Sequence, residues 1–534
     1  MKRLMIMPAV VAVLLFGAGA AQAQTEALGS TDFETSGVPE AQPAFLRGLL
    51  LLHSFEYEDA AEAFREAERL DPGFAMAYWG EAMTYNHPLW AQQDRDAARA
   101  ALARLAPTPE ARAEKAPTTR EKAYLRAVEI LYGAGDKRDR DHAYAEAMRR
   151  LHEAYPDDLD AAAFYALSIL GTSHDGRDFR TYMRAAAVAE EVFARNPDHP
   201  GAAHYLIHSF DDPIHAPLGL RAARAYSKIA PAAAHALHMP SHIFLALGMW
   251  DDVTAMNEAS WGAAYARAER KHLPVDARNY HALWWLDYGY LQQGRYEDAR
   301  RTLTRMKEDT EASGSRRTRT HLARMRAHHL VEMRAWDGEE AALVVDVSGL
   351  GTSTVAGDRF ATGMSAVGRG DLAAARAALA GMRAAREDRP ETDAYDRGAH
   401  AADVMTLELE ALIRQAEGQT DEALALMDRA VAEEDAMPFD FGPPDVVKPS
   451  HELYGEMLLA ADRPEAARAQ FEVSLDRTPG RALSLLGLAR AAEATADAEA
   501  AERAWNDLAK VWHRADDGVL ERASARRPEP VGDR

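Results

Sequence analysis

The sequence predicts an all-α protein built as an array of helix pairs. Apolar residues recur at helical spacing through most of the chain, and no segment shows the alternation typical of a half-buried strand. The chain has 534 residues, which is too long for one compact core and suits an elongated repeat array. Hydrophobic residues make up 47% of it, so it has enough apolar surface to fold.

One stretch near the N-terminus shows the repeated unit. In FLRGLLLLHSFEYEDAAEAFREAERLDP, Gly48, Ala60, Phe64 and Ala67 precede Pro72. Small residues let two helices approach closely, an aromatic ring fills the space between them, and proline ends the second helix. The spacing therefore predicts a helix–turn–helix unit of about 34 residues.

The same arrangement recurs along the chain. Ala467, Phe471 and Pro479 take the corresponding places in ADRPEAARAQFEVSLDRTP, and LGMWDDVTAMNEAS, QQGRYEDARRTL and EGQTDEALALMDRA carry a turn followed by an acidic helix start. We count about eleven units between residues 41 and 515. Because one unit cannot bury its apolar face alone, the units are expected to stack on each other.

These units resemble the tetratricopeptide repeat (TPR). The phrases HALHMPSHIF and GPPDVVKPSHELYGEMLL are also similar to those of a group of exported bacterial TPR proteins. The resemblance implies a right-handed α-solenoid whose concave groove is lined by the first helix of each pair. It also implies ligand contacts from the second, fifth, ninth, twelfth and thirteenth places of a unit. It implies a fold and not an activity.

The N-terminus predicts export. Lys2 and Arg3 precede a mostly apolar run from Leu4 to Ala20, and a small-residue cleavage motif ends at Ala23. We expect cleavage after Ala23 and a periplasmic or secreted protein. No second apolar run approaches the length of a membrane span, so no stable span is expected after cleavage.

Changes in composition divide the chain into six predicted segments. The first is a signal peptide (1–23), and the last is a loose, charged tail (516–534). The segments between them are an N-terminal extension (24–40), an array with a His-rich groove (41–313), middle repeats (314–436), and a Pro-rich loop with C-terminal repeats (437–515).

Net charge and cysteine content narrow the classes of ligand and of metal-binding residue that the chain can use. A net charge of −22 argues against nucleic-acid binding, which needs a positive field. We therefore expect a peptide, protein or small-molecule ligand. The chain has no cysteine, so it has no disulfides, and any metal would be bound by His, carboxylate or Met. The sequence leaves the oligomeric state open.

Histidines predict a metal site. His204 and His208, and likewise His238 and His242, are four residues apart, so each pair projects from one face of a helix. Since neighbouring first helices pack at about 10 Å, the four imidazoles are expected to converge. A site of neutral imidazoles without thiolates suits zinc, copper or iron.

Other side chains are predicted to line the groove. For some of these residues the sequence leaves a simpler role open. In it, Asp211 or Asp212 caps a helix end, and Glu452 and Glu456 are solvated rather than bound to a cationic ligand. In the repeat after Gly314, the groove places fall less firmly on His321, Arg324 and His328. The predicted groove residues are His53, His87, Asp211, Asp212, His235, His281, Trp284, Tyr288, Glu452 and Glu456.

Three functions are compatible with these features. The leading hypothesis is an exported solenoid that binds a peptide or small ligand in its groove and holds a His-lined metal site. The first alternative is a metal-dependent enzyme, hydrolytic or redox, that uses the same histidines. The second is an assembly scaffold with structural histidines. The chain has no HExxH, GxSxG or Walker motif, which disfavours serine and nucleotide chemistry.

Overall fold

The computed structural model describes residues 27–387 and 396–525. These residues are mostly helical, and the predicted all-α class is confirmed. The strands among them are one short antiparallel pair, Asn86–His87 (β1) and Gln92–Gln93 (β2), separated by a 3-10 turn. The predicted signal peptide and its cleavage site lie outside the described residues.

The chain forms two compact units. Unit 1 consists of the described residues up to His174, together with residues 178–210 and 221–240. Unit 2 consists of residues 175–177 and 211–220, together with the described residues from Ser241 onward.

Twelve helices lie between residues 42 and 238. In chain order they are α1 (Gln42–His53), α2 (Tyr57–Leu70), α3 (Ala75–Met83), α4 (Arg95–Leu105), α5 (Pro109–Lys115), α6 (Thr119–Leu131), α7 (Lys137–Ala154), α8 (Leu159–Leu170), α9 (Phe179–Arg195), α10 (Pro200–Phe210), α11 (Ala216–Ile229) and α12 (Ala234–His238).

The helices continue from residue 240 to residue 525. They are α13 (Pro240–Ala246), α14 (Trp250–Lys271), α15 (Tyr280–Gln292), α16 (Tyr296–Ser313), α17 (Arg316–Met333), α18 (Glu339–Ala342), α19 (Thr352–Gly368), α20 (Leu372–Glu387), α21 (Arg397–Ala416), α22 (Thr420–Ala436), α23 (Ser450–Ala460), α24 (Pro464–Arg477), α25 (Ala482–Ala494), α26 (Ala498–Val511) and α27 (Val519–Ala525).

Helix contacts show stacked pairs within each unit. Consecutive helices pack on each other, and the first helices of neighbouring pairs also pack together. The first-helix contacts are α1 with α3 and α8 with α10 in unit 1, and α15, α17, α19, α21, α23 and α25 in succession in unit 2. No described helix is both long and apolar enough to cross a membrane.

Loops and turns separate these pairs. Gly314, at the start of the predicted middle repeats, has a left-handed backbone with φ of 62° and ends α16. The predicted Pro-rich loop, 437–449, connects α22 to α23. Within the predicted tail, Val519–Ala525 forms α27, and residues 526–534 lie outside the described part.

An aromatic ring fills the space between the first two pairs of unit 1. Phe64 of α2 is fully buried, and it lies against Gly48 of α1 and Gly80 of α3. A Cβ atom at Gly80 would lie 2.3 Å from the Phe64 ring. Glycine therefore allows the close helix approach that the sequence pattern predicts.

Unit 2 repeats this packing at its far end. The buried ring of Phe471 on α24 lies against Gly455 of α23 and Gly487 of α25. As in unit 1, the two glycines lie sixteen residues before and after the ring. The same spacing thus produces the same three-helix contact in both units.

Each unit also has contacts between residues far apart in its sequence. In unit 1, α10 packs against α1, and Ser30 N–H donates to the carbonyl of Asp198 at 2.9 Å. In unit 2, the Trp250 indole donates to the carbonyl of Gly480 at 2.8 Å, and the Trp512 indole donates to that of Gln292 at 3.0 Å. Each unit therefore brings early and late helices together.

Replacing Gly487 with Ala is expected to destabilise unit 2, because the added Cβ would lie 2.3 Å from the Phe471 ring. Overpacking of this kind costs about 1–3 kcal/mol. Gly262 is the matched control, since it lies inside α14 with no atom within 4 Å of an added Cβ. Gly262→Ala should stabilise by about 0.5–1 kcal/mol. Melting temperatures compare the two, and equal shifts would contradict the close packing at Phe471.

Candidate functional site

The stretch HALHMPSHIF contains a helix break. Helix α12 ends at His238, and α13 begins at Pro240, because a proline ring inside a helix removes a backbone donor and clashes with the preceding turn. His235 and His238 belong to unit 1, and His242 belongs to unit 2. The predicted metal ligands are therefore distributed over both units.

Three imidazoles gather within unit 1. His204 and His208 lie on α10, His235 lies on α12, and a ring nitrogen of each is within 4.8 Å of those of the other two. The Nε2 atoms of His204 and His235 are 3.2 Å apart, and the ring centroids of His204 and His208 are 4.9 Å apart. We call these three residues the His204 cluster.

The backbone fixes the tautomer of His204. Its Nδ1 lies 2.7 Å from the backbone carbonyl oxygen of His53, and a carbonyl oxygen only accepts hydrogen bonds. Neutral His204 therefore carries its proton on Nδ1 and directs the Nε2 lone pair toward His235. This Nδ1–H to carbonyl bond is the arrangement that commonly orients histidine as a metal ligand.

Aromatic rings enclose the His204 cluster. Phe55, which has a left-handed backbone with φ of 54°, places its ring centroid 4.3 Å from that of His204. The Tyr226 ring stacks on the other side at 5.2 Å. His204 and His208 are buried and His235 is half-buried, so access to the cluster is from the side of His235.

A second group in unit 1 surrounds Asp160. The Asp160 carboxylate accepts hydrogen bonds from Nε2 of His53 at 2.8 Å and from the Thr31 hydroxyl at 2.5 Å. Nε2 of His199 lies 3.5 Å from the same carboxylate. Nδ1 of His53 is 2.9 Å from the Tyr205 hydroxyl. We call His53, Asp160 and His199 the Asp160 cluster.

Tautomers distinguish the Asp160 cluster from the His204 cluster. Nδ1 of His199 accepts the backbone N–H of Ala202 at 3.2 Å, so neutral His199 carries its proton on Nε2, facing Asp160. Burial alone would raise the pKa of Asp160, but the nearby His199 and the hydrogen bond from His53 hold it well below its usual range. With these tautomers the Asp160 cluster forms a hydrogen-bond network, and its ligand atoms also lie within 4.8 Å of one another.

Asp211 and Asp212, predicted groove residues, have separate roles in unit 2. An Asp212 oxygen accepts the backbone N–H of His215 at 3.0 Å and so caps the turn before α11. Asp211 pairs with Arg177 and with Nδ1 of His242, the latter at 2.9 Å. The His242 ring stacks on Trp285 with centroids 4.5 Å apart.

Two other predicted groove histidines lie beside aromatic rings. His87, on β1 of unit 1, stacks on Tyr57 with ring centroids 4.0 Å apart, and burial lowers its pKa. His281, on α15 of unit 2, lies 5.5 Å from the Trp285 ring. Both histidines are half-buried.

Glu452 and Tyr288, also predicted groove residues, belong to a buried ion network in unit 2. Arg481 is fully buried and donates to Glu332 at 2.6 Å, to Glu452 at 2.7 Å and to the Tyr288 hydroxyl at 2.5 Å. Lys448 donates to Glu452 at 2.6 Å. We call these five residues the Arg481 cluster.

The charges of this cluster compensate each other. Burial alone would raise the pKa of Glu452, but Arg481 and Lys448 hold it well below its usual range. Lys448 also donates to Glu456 at 2.6 Å, and Arg334 donates to Glu456 at 2.5 Å. Glu452 and Glu456 thus have cationic partners from their own chain. This pairing differs from both roles considered from the sequence, which were solvation and binding of a cationic ligand.

Sequence reasoning missed five residues of these clusters, namely Glu332 and Lys448 together with the three residues Asp160, His199 and Arg481. Asp160 and His199 stand near the first turns of helices, where polar residues commonly act as caps, and this role gives no sign of a shared contact. Arg481 follows a Pro-Gly pair and resembles a surface residue of a turn. One sequence signal could have identified Asp160, His199 and Arg481: each directly precedes or begins a strongly apolar helix.

Comparisons with known proteins give only distant structural likenesses. No family model matches the chain, and no curated protein matches it. The APC/C hetero-tetramer Cut9–Hcn1 matches at 12% identity and a TM-score of 0.32, over 96% of this chain and 81% of that chain. The human IFIT1 dimer with m7Gppp-AAAA matches at 12% identity and a TM-score of 0.36, over 95% and 94%. These likenesses concern the helical fold alone.

The stacked pairs and the glycine–aromatic contacts define the class of protein. The described residues form an all-α helical-repeat fold of stacked helix pairs. Within this class, the chain's distinguishing features are the His204 cluster of unit 1 and the Arg481 cluster of unit 2.

Replacing Arg481 with Met is expected to destabilise unit 2 by about 3–5 kcal/mol, because Glu332 would stay buried without its cation and Glu452 would keep only Lys448. A lower melting temperature measures the effect. Arg503→Met is the control, since Arg503 is exposed and pairs only with Glu499 one turn earlier, a contact worth about 0.2–1 kcal/mol. An unchanged melting temperature in Arg481→Met would show that the Arg481 cluster does not stabilise the fold.

Proposed function

We propose that the protein is an exported TPR-type binding protein that holds one transition-metal ion on the His204 cluster. The metal site and the repeat surface would together bind a peptide or small ligand. Export rests on the N-terminal sequence, Lys2 to Ala23, which resembles a secretory signal.

The observation that carries the metal proposal is the geometry of His204 and His235. Two ligands of a tetrahedral ion at 2.0–2.1 Å are separated by about 3.3–3.4 Å. The Nε2 atoms of His204 and His235 are 3.2 Å apart, and the lone pair of His204 already faces this position. His208 contributes a third ring nitrogen within 4.8 Å of both.

Metal binding would replace a proton. Because His204 Nε2 carries no proton, His235 Nε2–H donates to it across the 3.2 Å contact. An ion at this position needs the lone pair of His235 Nε2, so neutral His235 would move its proton to Nδ1. Neutral imidazoles in apolar surroundings suit zinc, copper or iron.

The proposed ligand set modifies the one that the sequence predicts. His204 and His208 are kept, and His235 is added because it lies against them in unit 1. His238 also belongs to unit 1, but it is not in the proposed set. Its ring centroid is 6.1 Å from that of His235. His242 belongs to unit 2, where Nδ1 is bonded to Asp211.

Metal-dependent catalysis is the second candidate function. Three histidine ligands leave one coordination position open, as in catalytic zinc sites, whereas structural sites have four protein ligands. Half-buried His235 gives this position access to solvent. Cobalt(II) substitution followed by azide titration distinguishes a catalytic site from a structural one. Azide changes the absorption spectrum of the cobalt(II) ion only when the ion has an open coordination position.

Purified, untagged mature protein is expected to bind about one equivalent of a transition metal. His204→Ala and His208→Ala should each abolish stoichiometric binding, because two imidazoles hold an ion weakly. Elemental analysis after reconstitution measures the metal content. His142→Ala is the control in unit 1, since His142 is exposed.

Two results would contradict the metal proposal. One is less than about a tenth of an equivalent of any transition metal after reconstitution. The other is full metal content in the His204→Ala, His208→Ala double variant, which would place the ion elsewhere. Absence of metal with a normally folded protein would leave the histidines as structural residues of an assembly scaffold.

Chelation is expected to lower the melting temperature of the metal-loaded protein. A ligand that binds only the folded state at 100 times its Kd stabilises by about 2.7 kcal/mol. Calorimetry with and without the chelator measures the shift, which should disappear in His204→Ala. A shift that persists in His204→Ala would mean that the chelator acts on another site.

A further inference from the structure

Two residues that line one cavity of unit 2 each have a buried ring nitrogen without a hydrogen-bond partner among the described residues. These nitrogens are Nε1 of Trp284 on α15 and Nδ1 of His328 on α17. Trp284 is 6% exposed and His328 is 1% exposed. Leaving a buried polar atom unsatisfied costs about 1–3 kcal/mol. Such atoms in a native fold therefore call for a bound group that completes them.

Both rings line one cavity. Their planes are stacked with centroids 6.0 Å apart, and α19 and the Pro-rich loop 437–449 supply the other walls. The cavity offers about 10 Å³ to the centre of a water-sized group. This is about the space that one water molecule needs, so a single oxygen atom of a ligand fits it and a larger group does not. Further lining residues are Arg324, Ser353, Thr354, Gly357 and Val447.

Arg324 gives the cavity a positive charge. Its guanidinium lies 4.9 Å from the centre of the Trp284 ring, and its Nε donates to the Thr354 hydroxyl at 3.3 Å. In the part of the chain that the structure describes, no carboxylate forms an ion pair with Arg324. The guanidinium thus keeps donors for an incoming acceptor.

The carboxylates in the cavity wall have their own cations. Asp358 pairs with Arg326 at 2.7 Å, and Asp445 pairs with Arg397 at 3.0 Å. Arg397 also pairs with Asp440 of the same loop at 3.0 Å, so these carboxylates are paired with arginines other than Arg324. The donors of Arg324 therefore remain available to an acceptor.

His328 supplies a neutral donor. Burial, together with the positive charges of Arg481 and Arg324, lowers the pKa of His328 to about 3. At neutral pH the ring is uncharged, and with its proton on Nδ1 it donates into the cavity. The Trp284 indole N–H can only donate. Two neutral donors and one cation thus face the same small space.

We propose that Trp284, Arg324 and His328 form a subsite for the carboxylate of a small organic acid or of a peptide end. One carboxylate oxygen would enter the cavity and accept the two ring N–H donors, and the carboxylate would pair with the guanidinium. This subsite rests on the proposed ligand-binding function, but it needs no metal. In the repeat pattern all three residues fall on groove places of the first helices, α15 and α17.

The first test uses sodium acetate as the probe. It is titrated into chelator-treated, full-length mature protein with ¹⁵N-labelled tryptophan, in a buffer without chloride or other carboxylates. The indole N–H resonance of Trp284, assigned by its loss in Trp284→Phe, is expected to move downfield and saturate. The other indole signals, from a chain with 9 tryptophans, serve as internal references, and acetamide is the neutral probe of the same shape.

Variants of one arginine test the charge. Arg324→Gln is expected to weaken acetate binding by about tenfold or more, and Arg324→Lys should stay within about fivefold, because it keeps the cation. Arg316→Gln is the control, since Arg316 is exposed at the start of the same helix. Melting temperatures show whether each variant is folded. If Arg324→Gln does not fold, Arg324→Lys still tests the subsite.

Three results would overturn the subsite: no saturable shift of the Trp284 signal, equal responses to acetate and acetamide, or unchanged affinity in Arg324→Gln. Acetyl-trialanine with a free or an amidated C-terminus distinguishes the source of the carboxylate. Tighter binding of the free form than of acetate identifies a peptide end, and equal affinity identifies a small acid.

The outcomes also separate this subsite from the metal proposal. Failure of acetate binding with one equivalent of metal on the His204 cluster overturns the subsite alone. Acetate binding without metal binding overturns the metal proposal alone. Arg324→Gln should leave the metal content unchanged, because the His204 cluster belongs to unit 1.

Discussion

The contact of α1 with α10 determines the candidate metal site of unit 1. His53, the last residue of α1, bonds through its side chain to Asp160 and Tyr205, while its backbone carbonyl orients His204. Gly201 makes this approach feasible, because a Cβ atom there would lie 2.4 Å from Nδ1 of His53. One residue thus anchors the packing of the unit and sets the tautomer on which ligation depends.

Buried polar groups take part in the long-range packing of both units. In unit 1 the Asp160 carboxylate receives donors from the N-terminal segment and α1 and has His199 nearby. In unit 2 the Arg481 guanidinium connects α15, α17 and α23. Removing one partner of such a network leaves an uncompensated buried charge, although apolar packing of the same volume is often equally stable. These networks therefore favour one arrangement of the helices over others.

Local pattern explains what the sequence predicts correctly. The glycine and phenylalanine spacing around Phe64 and Phe471 gives the helix pairs, because helix packing follows from residues close in sequence. The pairing of His204 with His208 follows from helical periodicity in the same way. The contacts of His235 with His204 and of Arg481 with Glu332 join residues 31 and 149 positions apart. Periodicity carries no information on such contacts, so the roles of His53, His235 and Arg481 required the structure.

Hydrogen-bond partners of the second ring nitrogen explain why similar histidines differ in chemistry. His204 donates from Nδ1 to a carbonyl and leaves Nε2 able to bind a metal, whereas His199 accepts at Nδ1 and must hold its proton on Nε2. Both residues lie at or near the start of α10, which packs against α1. Amino-acid type alone therefore does not distinguish their roles. Since His53 supplies the carbonyl to His204, the proposed metal binding would be thermodynamically linked to the α1–α10 contact. Whatever strengthens that contact would also strengthen ligation, and the ion would stabilise the contact in return.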